Sequence, residues 1–219
     1  MKAPHEYSKR ILLAVSGMSP QIVTETLYSL AIAQEEAFIP TEIHLITTQA
    51  GAKKAKLQLL HPKTGMFHAL CNDYQLSNIE FSEKNIYVIE DTQGNKLEDI
   101  KTPAQNEVAA DFITDIVRRL TQDNDAALHV SIAGGRKTMG YYLGYALSLY
   151  GRVQDRLSHV LVTDLYEGLK EFFYPTPESH VIYDRNDNAL DTQEAEVMLA
   201  EIPFVRLREG LPEHLSTVF

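Results

Sequence analysis

The chain has 219 residues, 44% hydrophobic and 23% charged, with a formal net charge of −10 and a single cysteine. That is enough apolar material for one full core, while the absence of a membrane-length apolar run or a leader-like segment excludes a membrane partner. The acidic balance sets the surface against long duplex nucleic acid, and the lone Cys71 rules out an internal disulfide and fits a reducing cytoplasm.

Taken in order, Arg10–Ser16 is apolar almost throughout and reads as a strand buried on both faces, as in a parallel sheet. The turn Ser16-Gly-Met-Ser-Pro20 follows. Ser19 is placed to cap the next helix, with Pro20 at its first position. Val23, Leu27, Leu30 and Ala31 keep helical spacing, which carries that helix to about Ala37. Glu42–Thr48 is a second strand and Ala50–Leu60 a helix. Its lysines, Lys53, Lys54 and Lys56, read as a solvated face, with a contribution to an anion pocket as the lesser alternative. Residues 61–84 are ambiguous apart from a short helix within 66–76. Asn85–Glu90 is a third strand. Gln93-Gly-Asn-Lys96 reads as a hairpin turn, after which Leu97–Lys101 pairs back. Pro103 opens a helix with Val108, Phe112, Ile113, Ile116, Val117 and Leu120 on one face.

The most informative stretch comes next. Ala127–Ala133 is a buried strand, Gly140–Tyr150 a helix, and Gly134-Gly-Arg-Lys-Thr138 the turn between them. Two glycines let the backbone approach a bulky ligand. The N–H groups of a first helical turn favour anions, phosphates above all. Arg136 and Lys137 add charge, and Thr138 a hydroxyl. The sequence is not a Walker A loop, because Val130 stands where the first glycine is needed. It also lacks the third glycine of the dinucleotide fingerprint. Both absences disfavour an NTPase or a dehydrogenase.

His159–Thr163 is a fifth strand, and Lys170–Tyr174 a further strand near an edge, ended by Pro175. Gln193–Ala200 suggests a short helix and Pro203–Leu207 a last strand. Strands alternating with helices define an α/β fold: a Rossmann-like, doubly wound, mostly parallel sheet of order 3-2-1-4-5 with extra antiparallel edge strands. The chain reads as a single domain over 1–219, with a core in 1–165 and an extension in 166–219. In that order the first and fourth strands are neighbours. The serine-rich turn, Ser16 to Ser19, then faces the basic glycine turn across the crevice at their carboxyl ends.

These two turns, in this order, resemble the CARF domain, the Rossmann-like sensor of type III CRISPR systems. Ile11-Leu-Leu-Ala-Val-Ser-Gly-Met-Ser-Pro20 and its continuation to Tyr28 are similar to one signature of a CRISPR-associated CARF family. Ser131-Ile-Ala-Gly-Gly-Arg-Lys-Thr-Met139 is similar to the other, and Ile202-Pro-Phe-Val-Arg-Leu207 to its closing strand. The resemblance implies a homodimer that binds cyclic oligoadenylate, most plausibly the tetra-adenylate ring, across its twofold axis. Many relatives carry a HEPN ribonuclease or a winged helix as effector. This chain stops at Phe219 with no room for either, and short relatives of this kind are implied to be ring nucleases, which degrade the messenger and end the antiviral response.

Such enzymes are implied to need neither metal nor cofactor, and the eight scattered histidines form no ligand spacing. The ribose 2′-hydroxyl is the nucleophile, and the protein aligns it. The resemblance makes Lys137 the residue that stabilises the phosphorane and Ser16 the hydroxyl that positions the 2′-oxygen or the phosphate. Gly17, Met18, Ser19, Gly134, Gly135, Arg136, Thr138 and Met139 are the implied ligand contacts. A catalytically silent sensor that signals to a partner protein is the competing reading, since binding and cleavage use the same turns. Arg208 and His214, and Arg152 and His159, have spacings near that of a HEPN pair. Gly210 and Pro212 break the first, and a helix-to-strand connection separates the second.

Overall fold

A computed structural model describes residues 2–208. Six strands form one sheet: β1 (Lys9–Ser16), β2 (Glu42–Thr47), β3 (Ile86–Val88), β4 (Ala126–Ser131), β5 (Arg156–Val162) and β8 (Val197–Glu201). Their order is β3-β2-β1-β4-β5-β8, with β8 alone antiparallel. The expected 3-2-1-4-5 core is present, so the strand order reverses between β1 and β4. A separate hairpin, β6 (Val181–Tyr183) with β7 (Ala189–Asp191), lies in the extension.

Period-two alternation along β1 assigns the two faces. Leu12 and Ala14 join one core with α1 (Gln21–Ala31), α2 (Gln49–Leu59) and α3 (Met66–Asp73). Ile11, Leu13 and Val15 join the other with α4 (Pro103–Leu120) and α5 (Lys137–Tyr150). α4 starts where its sequence says it should: Thr102 accepts from the N–H of Gln105, and Gln105 closes the reciprocal capping box. A small satellite core of Val160, Tyr166, Phe172, Ile182, Ala195 and Val197 underlies the extension. Tyr74 and Tyr174 sew it to α3, through the Pro175 carbonyl and the Asp73 carboxylate.

Five expectations need correction. α1 ends at Ala31, not near Ala37, and starts one residue late: Pro20 is its N-cap, and no side chain caps it. Ser19 therefore stays free. Leu97–Lys101 forms no strand; pairing stops at the Glu90–Lys96 bridge and the Leu97 N–H to Ile89 carbonyl bond. Lys170–Tyr174 is irregular, with Phe172, Phe173 and Tyr174 all buried. The place beside β5 goes instead to β8, in the segment read as a helix. Ladder bonding along β5 overrides the helical propensity of Met198, Leu199, Ala200 and Glu201. Pro203–Leu207 is likewise no strand, although Phe204 packs on the α4/α5 core. His214 lies outside the described residues.

Among the described residues no helix is long and apolar enough to cross a membrane. His129 on β4 is buried, with Nε2 2.7 Å from Ser158 Oγ. Burial pushes its pKa down to about 3, so the ring is neutral.

Beneath the far end of β5 lies a buried ion pair. Arg152 is 6% exposed and Asp155 fully buried. The Asp155 carboxylate accepts from Arg152 Nη2 at 2.8 Å, Arg152 Nε at 2.9 Å, the Arg152 N–H at 2.8 Å and the Leu128 N–H at 2.9 Å. Arg206 donates to the carbonyls of Arg152 and Asp155, fastening the chain after β8 to the same spot. Arg152 is thus wholly committed to structure, while His159 stands on β5.

Candidate functional site: two turns at the reversal point

The turns after β1 and β4 meet at the carboxyl edge of the sheet, the usual ligand position in such folds. They touch through backbone. A Cβ on Gly17 would sit 3.9 Å from Gly135 Cα, and one on Gly134 only 2.4 Å from the Val15 carbonyl oxygen. Gly135 has φ +75°, which only glycine adopts freely. On the other side, a Cβ on Gly51 in the first turn of α2 would lie 2.6 Å from the Gly17 carbonyl oxygen. Lys54 closes the arrangement, its Nζ donating to the Met18 carbonyl at 2.6 Å. One of the three helix lysines therefore does enter the site; Lys56 pairs with Glu83 instead.

This packing yields a stability prediction. Gly134→Ala forces its methyl into the Val15 carbonyl and, at 2.8 Å, into Ile22 Cγ1. Backbone must shift, and the expected loss is about 1–3 kcal/mol. Gly144→Ala in mid-α5 meets only Leu157 Cδ2 at 3.5 Å, so it should be neutral or gain up to about 1 kcal/mol. Urea unfolding of the two variants checks the contrast; equal midpoints would show that the turns are not close-packed.

The basic turn presents donors outward. Arg136 is the N-cap of α5 and no side chain caps it. Among the described residues, the N–H groups of 135–138 donate to no backbone acceptor. Gly135, Arg136, Lys137 and Thr138 are exposed. Lys137 forms no ion pair within 4.0 Å among the described residues. Arg136 is engaged: its guanidinium grips Asp99 at 2.9 Å to each carboxylate oxygen. That bond, with the Ile100 N–H, holds the Asp99 carboxyl below the usual range. The pair is exposed, so a ligand phosphate can compete for Arg136.

Two expected contacts lie inside. Met139 is 1% exposed and its thioether supports Gly135 from below, so it shapes the turn from the core. Ser16 is fully buried, in register with Thr47 of β2, and neither hydroxyl has a hydrogen-bond partner. Met18 and Ser19 are the exposed residues of the first turn.

A cleft of about 910 Å³ opens beside the turns, between α1, β5 and the loop 163–170. Met18, Ser19 and Ala133 form its rim on the turn side. Gln21 and Glu25, one helical turn apart, line it from α1. Burial, with help from nearby Glu167, lifts the Glu25 carboxyl to about 8. Neither residue was singled out by the sequence reading. The available signal was an acid at the i+4 position from a glutamine within an otherwise apolar amphipathic stretch. Among the described residues no group of three or more His, Cys, Asp or Glu side chains is placed to hold a metal ion.

Fold and site together define a Rossmann-like α/β protein with a basic glycine turn at its reversal point. The sequence profile of the family described as CRISPR-associated protein NE0113 (Cas_NE0113) matches residues 19–219, and the chain belongs to that family. The matched span contains the basic turn and α1 and begins just after Met18. No curated protein sequence matches the chain.

Proposed function

We propose that this protein is a CARF-type ring nuclease that binds cyclic oligoadenylate and cleaves it without a metal. The observation that carries the reading is the outward run of N–H groups at 135–138 beside the ammonium of Lys137, neither of which has a partner among the described residues. These donors would orient one phosphate of the ring. The neighbouring 2′-oxygen then attacks phosphorus, the P–O5′ bond breaks, and the 5′-oxygen leaves with a proton. The product is a linear chain ending in a 2′,3′-cyclic phosphate. Lys137 stabilises the charge gathered on the phosphorane. Ser16 is enclosed beneath the turn with its hydroxyl unpartnered, while Ser19 is the hydroxyl that stands at the surface.

A second copy would meet this one along α5. Tyr141 and Tyr145 follow Lys137 at four-residue intervals, are 67% and 53% exposed, and stack with centroids 6.2 Å apart. A twofold axis beside them would bring two basic turns onto one symmetric ring.

The buried position of Ser16 also favours a second reading, a sensor that binds the ring and leaves it intact. Incubation of the pure protein with cyclic tetra-adenylate and cyclic hexa-adenylate in EDTA, with products resolved by chromatography, separates the two. Linear products ending in 2′,3′-cyclic phosphate are expected. Tight binding with no product would make the protein a sensor, and no binding of either ring would overturn both readings.

A further inference from the structure

The cleft beside the turns has a chemistry unlike theirs. Its carboxyl groups are Glu25 on α1, Asp164 and Glu167 on the loop after β5, and Glu196 before β8. Against these stand Lys170, Arg185 and Lys54, the last already bound to the Met18 carbonyl. His159 of β5 completes the titratable lining. With Glu25 holding its proton, three carboxylates face three cations in the cleft, whereas the turn offers Lys137 and outward N–H groups to a phosphate. Ile22, Ala133, Val160 and Val162 supply apolar walls.

Two polar groups on these walls are under-used. Gln21 is 7% exposed, and its Nε2 donates to the Lys170 carbonyl at 3.2 Å. That commits the donor end of the amide and leaves Oε1 buried with no donor to accept from. A buried acceptor left unpaired costs about 1–3 kcal/mol, which a ligand N–H would recover. Glu25 stands one turn further along α1. As a carboxylic acid it offers an O–H donor and a carbonyl acceptor side by side. An aminopurine edge, with an exocyclic N–H₂ next to a ring nitrogen acceptor, matches that pair, and its second N–H matches Gln21 Oε1.

We propose that the cleft is a nucleobase pocket in which protonated Glu25 and Gln21 together read the amino edge of adenine. The inference rests on the reading that the turn holds a nucleotide phosphate, and it adds the residues that set base specificity. Because Glu25 holds its proton up to about pH 8, the donor is present at neutral pH. It is lost above that value, when an anion next to Glu167 takes its place.

The test titrates wild type, Glu25→Gln, Glu25→Ala and Gln21→Ala with adenosine, with purine riboside, which lacks the amino group, and with cyclic tetra-adenylate, at pH 7 and pH 9. Wild-type affinity for adenosine should fall about tenfold between the two pH values, as expected for one required proton with a pKa near 8. Glu25→Gln keeps a donor beside an acceptor, so it should bind at pH 7 as wild type does and lose nothing at pH 9. Glu25→Ala should weaken binding about tenfold or more at pH 7, in line with one lost bidentate base contact. Gln21→Ala should narrow the preference for adenosine over purine riboside. Circular dichroism of each variant guards against misfolding, and the Glu25→Gln profile stands even if Glu25→Ala fails to fold. If the ring is bound while all four proteins show one pH-independent adenosine affinity, the inference falls and the phosphate reading survives. If adenosine binds with the expected profile and the ring does not, the pocket stands and the ring reading falls. If neither ligand binds, both fall.

Discussion

Lys137→Ala should slow single-turnover cleavage of cyclic tetra-adenylate by about 10²–10³, the usual effect of deleting one preorganised electrostatic contact to a developing oxyanion. Ring affinity should change far less. The 135–138 N–H groups belong to the backbone and survive the substitution, and Arg136 remains one residue away. The fold should be indifferent, because Lys137 is exposed at the first position of α5 and has no ion-pair partner among the described residues. The discriminating measurement is affinity and single-turnover rate on the same preparation. An unchanged rate would remove Lys137 from the chemistry. Equal losses in both would make it a binding residue only. Lys137→Arg keeps the charge but spreads it over a planar fork, so a partial rescue would show that position as well as charge counts.

At the opposite end of the sheet, Asp155→Ala should destabilise the protein by about 3–5 kcal/mol, because it strands the Arg152 charge in the interior. For a chain of this size that lowers Tm by roughly 10 °C. The loss exceeds that of a surface ion pair for a structural reason. The carboxylate serves two guanidinium nitrogens and two backbone N–H groups, one of them in β4. Removing it also leaves those N–H groups unpaired. Replacing both partners with apolar residues, Arg152→Met with Asp155→Leu, should recover much of the loss, since neither charge then has to be buried. Thermal unfolding of the single and double variants decides the matter. A double variant no better than the single would show that the N–H acceptors, and not the stranded charge, dominate.

The sheet was legible because its signal is local. Continuous apolar runs such as Ile11–Val15 and Ala126–Val130 have few alternatives to buried parallel strands, and the reversal between β1 and β4 follows from right-handed crossovers. The meeting of the two turns was legible for the same reason. Four things were not. β8 was hidden because Met198, Leu199 and Ala200 prefer helix in isolation, and only the open ladder of β5 reverses that. The Arg136–Asp99 grip joins residues 37 apart in sequence, with α4 and β4 between them, and Asp99 itself lies in an irregular loop. The resemblance implied Ser16 as the positioning hydroxyl and Met139 as a ligand contact, whereas depth in a turn depends on how closely the neighbouring backbones approach. Glu25 lay in plain view within an amphipathic helix. What made it unusual, an enclosed carboxyl facing Glu167, exists only after residues 163–170 fold back over α1.

The contact between the two turns has a consequence for how such a protein can diversify. Gly134 is fixed by the close approach of the Val15 carbonyl and Gly135 by one left-handed torsion angle. Variation there would have to remodel strand ends before it could alter chemistry. Met18, Ser19 and Thr138 are exposed on the rim of the same structure and carry no such constraint. Relatives can therefore exchange rim side chains while the backbone of the turns stays constant. Under the proposed function, that separates the part that would grip a phosphate from the part that would choose which molecule carries it.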